Sequence, residues 1–236
     1  MGPVAVPLTL ALETSADICA AAIVRDGGCL AAHRVEMTRG HAEALVPIVQ
    51  ELATAAEIVL TDIDLVGVTK GPGSFTGLRT GIAAARGFAL AAGAAAVGVS
   101  SLEAVARGAV RTHHLAGPLL CVLETRREDF FVQLFDDAGE AQAPPAVVDR
   151  AEVLALVADV NPFIAGNAVD RLLAGNDGNQ GALRRLPGDG CPDPVDIAEL
   201  AEAIQNKEGL VLDTLSPLYL RAPEAKLPAN GGRLKK

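Results

Sequence analysis

Two glutamates occupy matching positions in a short internal repeat of this 236-residue chain, and they are its first candidate catalytic or ligand-binding residues. The tripeptide Leu12-Glu13-Thr14 recurs as Leu123-Glu124-Thr125, about 110 residues later. If both acids end strands that face a cleft between two lobes, they could hold a metal–phosphate complex or act as a general acid and base. Alternatively, each carboxylate stabilises the turn beside it. The residues themselves leave both interpretations open.

A glycine-rich junction is the second candidate site. A β-branched run over residues 65–69 meets Gly71-Pro72-Gly73, and Ser74 then takes the N-cap position ahead of a long Ala-rich helical run. Such a strand–loop–helix junction can bind phosphate, but the P-loop pattern fails because Thr76 lies where its second glycine is required. The helix also has a stripe of small residues spaced four apart: Gly77, Gly81, Ala85 and Ala89. We therefore predict a packing surface here rather than a phosphate site.

The remaining polar candidates are weaker. His41 has Leu45 rather than a second histidine four residues later, so no metal site is predicted there. Arg79 and Arg86 are seven residues apart and share a helical face, where they could clamp an anion or bond across a protein interface. Solvated surface arginines are the default interpretation.

Composition limits the function classes. The net charge of −9 argues against an independent nucleic-acid binder, which needs clustered lysine and arginine. Four cysteines without C-x-x-C spacing predict buried thiols in a reducing, cytoplasmic compartment. We expect no signal peptide and no membrane span, because Arg79 and Arg86 interrupt the longest apolar run.

The hydrophobic pattern predicts two similar α/β units. In the first, strands over 8–13, 18–25 and 29–36 precede a helix over about 41–57, a strand over 65–69, a helix over 74–92, a strand over 94–99 and a short helix over 101–109. In the second, strands over 119–124, 130–136 and 142–148 precede a helix over 150–160, a strand over 163–167 and a helix over 169–173. A loop over 175–190, a helix over 192–206 and an extended segment from residue 215 follow. The order β-β-β-α-β-α in both units predicts a duplicated fold.

Several segments together resemble the TsaB (YeaZ) family, a subunit of the bacterial machinery that makes threonylcarbamoyladenosine in tRNA. They are Lys70–Arg79 with Gly81, Leu10–Ser15, Gly40-His41 ahead of Leu45-Val-Pro47, Gly98–Leu102 and Pro217–Arg221. The resemblance implies the actin/Hsp70-like (ASKHA, ribonuclease H-like) duplicated fold, with two lobes that each have a mixed sheet flanked by helices. It divides the chain into a first lobe over 1–110, joined by about 193–225, a smaller second lobe over 111–192 and a mobile tail over 226–236.

The resemblance also implies a non-catalytic partner in the modification of the adenosine next to the anticodon of tRNAs that read ANN codons. In this family the paralogue TsaD carries the metal-binding histidine pair and transfers the threonylcarbamoyl group, with the ATPase TsaE assisting. This chain would bind no metal or cofactor alone, ATP or ADP would bind only in the assembled complex, and tRNA would be contacted only through that complex. Glu13, Thr14 and Glu124 remain vestigial candidates for cofactor binding. The run Glu124–Glu128 departs from the Asp-Ala-Arg run more frequent in relatives, which puts a functional second-lobe cleft in doubt.

Pairing with TsaD, or with a second copy in a homodimer, is implied for the two helices over 41–57 and 74–92. The predicted interface residues are Leu45, Val49, Leu52, Ser74, Gly77, Leu78, Arg79, Gly81, Ile82, Ala85, Arg86 and Ala89. Two alternatives stay open: a stand-alone ATPase or phosphotransferase of the same fold, and, with least support, a metallopeptidase.

Overall fold

A computed structural model describes residues 6–174, 184–208 and 215–221 of the chain. The first unit consists of β1 (Leu8–Glu13), β2 (Ile18–Arg25), β3 (Gly28–Glu36), α1 (His41–Ala55), a 3-10 turn (Leu60–Asp62), β4 (Leu65–Gly71), α2 (Phe75–Ala92), β5 (Ala95–Ser100) and α3 (Ser101–Thr112). The second consists of β6 (Leu119–Glu124), β7 (Phe130–Phe135), β8 (Ala146–Val148), α4 (Arg150–Val160), β9 (Phe163–Ala165), α5 (Val169–Leu173) and β10 (Arg184–Arg185), and α6 (Pro194–Glu208) follows.

The first sheet has the strand order β3-β2-β1-β4-β5. Its first three strands form an antiparallel meander, and β4 and β5 join parallel to β1 through the crossover helices α1 and α2. The turn between β2 and β3 has positive φ at Asp26 and Gly27, as a tight hairpin turn with an Asp-Gly pair requires. Because helices cover both faces of the sheet, every residue of β1 is buried.

The second sheet repeats this order as β8-β7-β6-β9-β10. β6 pairs antiparallel with β7 and parallel with β9, just as β1 pairs with β2 and β4. The duplicated fold predicted from the echo at Glu13 and Glu124 is confirmed, and these two acids end the corresponding strands β1 and β6.

The two sheets and their helices stack as layers. On one face of the first sheet, α1 and α2 pack through a core that includes Leu45, Val49 and Ile82, while α6 covers the opposite face. α3 packs on the second sheet beside α6, and α4 with α5 closes the far side. The ends of β1 and β6 therefore meet near the junction of the two units.

Several details differ from the sequence prediction. α1 ends at Ala55, two residues before the predicted end. β8 begins only at Ala146, because Pro144 and Pro145 have no N–H to donate to the ladder of the sheet. Residues 184–185, predicted as loop, pair with β9 as the short strand β10. Residues 226–236, predicted as a mobile tail, lie outside the described residues.

Of the four thiols predicted to be buried, Cys19 and Cys121 are, whereas Cys29 is exposed on β3 and Cys191 is partly exposed. A membrane-crossing helix would need more length and apolar character than any helix in the described ranges has.

Candidate functional site

Glu13 ends β1 with its side chain entirely buried. Its Oε1 accepts hydrogen bonds from the Ser15 N–H at 2.5 Å, the Ser15 hydroxyl at 2.6 Å and the Ala16 N–H at 3.1 Å. Burial raises the pKa of this carboxyl, and the hydrogen bonds from Ser15 and the backbone oppose that rise. The carboxylate thus holds the turn after β1, which was the alternative to a catalytic role.

Glu124, its counterpart in the second unit, is also committed to internal contacts. Its carboxylate accepts from the Arg171 Nε–H at 2.7 Å and from the Arg126 N–H at 2.6 Å. The Arg171 guanidinium in turn stacks on the Phe130 ring, 3.9 Å from its centroid. Neither glutamate is therefore a free general acid or base in this arrangement.

The cleft between the two units is small and bridged by ion pairs. A cavity of about 320 Å³ is lined by residues 15–17, 73–76, 124–126 and Asn167. Arg126 pairs with Asp17 across its mouth, and Arg221 pairs with Asp129 on the second unit. Among the described residues, no cluster of three His, Cys, Asp or Glu side chains could hold a metal ion.

Thr14 explains the stripe of small residues on α2. Its hydroxyl donates to the Gly77 carbonyl oxygen at 2.8 Å. A Cβ added at Gly77 would lie 1.9 Å from the Thr14 carbonyl oxygen, and one at Gly81 would lie 2.4 Å from Thr14 Oγ1. The stripe therefore packs α2 onto the end of β1, and Ser74 caps the helix by accepting from the Gly77 N–H at 3.3 Å, as predicted.

The burial of its side chains bears on the predicted interface, which stays a prediction. Nine of the twelve residues are buried in the chain: Leu45, Val49, Leu52, Gly77, Leu78, Gly81, Ile82, Ala85 and Ala89. Of these, Leu45 still lines a surface groove, and Ser74, Arg79 and Arg86 lie at the surface. Helical spacing identifies the apolar or small face of a helix but not the element that covers it.

The opposite sides of the same two helices form an exposed apolar surface. Four large side chains lie there, exposed by 44% at Val46, 55% at Phe75, 86% at Leu90 and 46% at Tyr219. A groove of about 540 Å³ runs between α1 and α2 and is lined by Ala42, Leu45, Val46, Phe75, Thr76, Arg79, Thr80, Ala83 and Ala84. We call these groove residues, with Leu90 and Tyr219, the outer helical face.

Sequence reasoning missed most of the outer helical face. Phe75, Ala83 and Leu90 recur at intervals of seven or eight residues, a spacing that places them on one side of α2. That signal was available, but the neighbouring stripe of glycine and alanine was the stronger pattern. Tyr219 is far away in sequence and carried no local signal.

The fold defines the class of protein first: this is an actin-like ATPase fold. An activator of 2-hydroxyisocaproyl-CoA dehydratase from Clostridium difficile, solved with bound ADPNP, matches with a TM-score of 0.53 and 13% identity over 86% of this chain and 98% of that chain. This likeness concerns the fold alone.

The family follows from sequence and structure together. Residues 34–178 match the family model described as TsaD: tRNA N6-adenosine threonylcarbamoyltransferase. The Escherichia coli tRNA threonylcarbamoyladenosine biosynthesis protein TsaB is 37% identical over 122 residues, a match that spans 52% of each chain. An uncharacterised Mycobacterium tuberculosis protein is 32% identical over 233 residues, covering 96% of this chain and 97% of the relative.

A solved Pseudomonas aeruginosa protein with similarity to peptidase YEAZ has a TM-score of 0.77 and 26% identity, covering 92% of this chain and all of that chain. The chain belongs to the TsaB/YeaZ family. The resemblance described from the sequence is confirmed.

Proposed function

We propose that this chain takes part in the formation of threonylcarbamoyladenosine in tRNA as a non-catalytic subunit that docks onto the catalytic transferase. The observation that carries the proposal is the outer helical face, where Val46 and Phe75 line the groove and Leu90 and Tyr219 expose two further large apolar side chains. An exposed apolar patch marks a protein interaction site more often than a free surface, and large aromatic side chains are enriched at interfaces.

The state of the candidate acids supports a non-catalytic role. Glu13 is buried against its own turn, and Glu124, which lines the cleft, is engaged by Arg171, so both carboxyl groups are committed to contacts within the chain. The named relatives add the process: the E. coli protein is a threonylcarbamoyladenosine biosynthesis protein, and the matching family model describes the transferase. The proposal includes the action of the ATPase TsaE on the assembled complex.

Binding to a purified transferase of this family tests the docking surface directly. Ala83 is exposed in the groove, and Ala83→Arg should weaken binding by about tenfold or more because a long charged side chain fills the groove. Ala32→Arg, at an exposed position on β3, is the matched control and should leave affinity within about twofold. Titration calorimetry measures both.

Equal affinities for the two variants and the wild type would refute the docking surface. Gly81→Leu and Ala85→Leu are unsuitable for this purpose, since both positions are buried and the substitutions would disturb folding instead. Reconstituted tRNA modification with and without the chain then tests the process itself: a chain that adds nothing to the yield is not a subunit of this machinery.

A stand-alone ATPase or phosphotransferase is the second candidate, favoured by the cleft of about 320 Å³ between the two units. Micromolar binding of ATP to the isolated chain would support it and contradict the scaffold role. The metallopeptidase alternative is the weakest, and stoichiometric zinc or iron in purified protein would be needed to revive it.

A further inference from the structure

The segment over 215–221 runs from the first unit across to the second. Leu215 is buried in the core under α1 and α2, and the Leu218 N–H donates to the Lys70 carbonyl oxygen at 2.7 Å. Arg221 then pairs with Asp129 on the second unit. Between these anchors, Tyr219 points to the outer helical face. We call residues 215–221 the strap.

Tyr219 is fixed on that face by two contacts. Its ring stacks on the Phe75 ring with centroids 5.7 Å apart, and its hydroxyl accepts from the Arg79 Nε–H at 3.2 Å. Arg79 also lies over Phe75, 3.7 Å from the ring centroid. Phe75 and Arg79 both line the groove between α1 and α2, so the ordered cluster stands at the groove's edge.

We propose that Tyr219 is a partner-contacting residue, an aromatic anchor that the strap adds to the docking surface. The inference rests on the proposed function and names a residue that the helices alone do not supply. Interface anchors are typically tyrosine, tryptophan and arginine held rigid before binding. This cluster has that character: each member is already ordered by the others, yet Tyr219 and Phe75 remain about half exposed.

The transferase is the occupant that the proposed function names, and homology gives it a matching surface. The transferase family model matches residues 34–178, which include α1 and α2, so a transferase has an equivalent pair of helices. Two such pairs related by about half a turn place α1 of one chain against α2 of the other. This chain then presents to the transferase the exposed acids Glu43 and Glu51 of α1 and the exposed Arg79 and Arg86 of α2.

The composition offers a specific probe, because Tyr219 is the only tyrosine in the chain. Protein labelled with 3-fluorotyrosine therefore has one fluorine resonance. We expect that resonance to shift or broaden when unlabelled transferase is added, since the partner would cover the ring. An unmoved resonance at saturating transferase would overturn the inference, and this readout uses the full chain without any substitution.

Substitutions measure how much the anchor contributes. Tyr219→Ala should weaken transferase binding by about tenfold, whereas Tyr219→Phe, which keeps the stacked ring, should lose about threefold or less. Leu30→Ala, at an exposed apolar position on β3, is the matched control and should leave affinity unchanged. Equal affinity for Tyr219→Ala and the wild type would overturn the anchor.

The two proposals fail in different ways. If Ala83→Arg abolishes binding while Tyr219→Ala has no effect and the fluorine resonance stays in place, the docking surface stands and the anchor is wrong. If the wild-type chain binds no transferase, both are wrong. If the resonance responds to a second copy of this chain instead, seen as a change with protein concentration alone, the occupant is wrong.

Discussion

At Glu13 the sequence predicted the position at the end of β1 and left the role open between chemistry and stabilising the turn. Its Oε1 is saturated, but Oε2 and the hydroxyl oxygen of Thr69 are both buried and without a hydrogen-bond partner. A proton on Oε2 lets the carboxyl donate toward Thr69 Oγ1 and satisfies both atoms. Around it, burial raises the thiol pKa of Cys19 and of Cys191 to about 11. The surroundings favour the neutral acid.

The pH dependence of stability should reveal this proton. Because the folded pKa of Glu13 is raised, the stability that the group contributes is full below its ordinary value of 4.5 and is lost as pH rises through the folded pKa. Glu13→Gln keeps a neutral side chain at every pH. Its unfolding free energy, relative to wild type, should therefore increase over that window in urea titrations.

Thr69→Val provides the companion measurement. It removes the acceptor that the protonated carboxyl needs and should cost about 1 kcal/mol at pH 4.5, where Glu13 is neutral. A free-energy difference between Glu13→Gln and wild type that stays constant from pH 4.5 to 9 would show that Glu13 is ionised in the folded chain.

At the scale of elements, α2 shows what periodicity can and cannot predict. The N-cap Ser74 and the small stripe were visible in the sequence, because capping and helical spacing are local properties. What packs against the stripe was not visible, since Thr14 lies 63 residues before Gly77 and meets it only in the folded chain. The outer helical face was missed for the same reason: exposure depends on the whole fold.

Two glycines of α2 should respond oppositely to alanine. Gly77→Ala would place a methyl group against the Thr14 carbonyl oxygen, and we expect a loss of about 3 kcal/mol in unfolding free energy. Gly87 has open space around it, so Gly87→Ala should gain about 0.5–1 kcal/mol from helix propensity alone. Urea unfolding of both variants compares them. A loss at Gly87 similar to that at Gly77 would mean that helix geometry, not contact with Thr14, sets the requirement.

At the scale of the whole molecule, the duplicated topology could be predicted because each unit repeats the same local order of strands and helices. The echo at Glu13 and Glu124 placed β1 and β6 correctly, and the shared order of the two sheets follows from it. Contacts between units had no such signal: Arg126 meets Asp17 across 109 residues of sequence. The two-residue strand β10 was equally invisible, since two residues carry no period.

The ion pair at the end of the strap should restrain the strap more strongly than the ion pair across the cleft does. Arg221 and Asp129 form a partly buried ion pair at the strap's end, whereas Arg126 and Asp17 form an exposed pair across the cleft. Exposed pairs contribute little, while a partly buried one restrains the backbone beside it. Arg221→Gln should therefore speed hydrogen exchange of the Leu218 amide by about fivefold, because its bond to the Lys70 carbonyl opens more often.

Arg126→Gln is the matched variant, since it removes the ion pair across the cleft and leaves the strap untouched. It should change exchange at Leu218 by less than about twofold, measured by NMR on the full chain. Equal acceleration in the two variants would mean that separation of the units, rather than release of the strap, exposes this amide. In that case the contacts between the two units, and not the end of the strap alone, would hold Tyr219 in place. Closure of the cleft would then be the step that orders Tyr219 on the outer helical face.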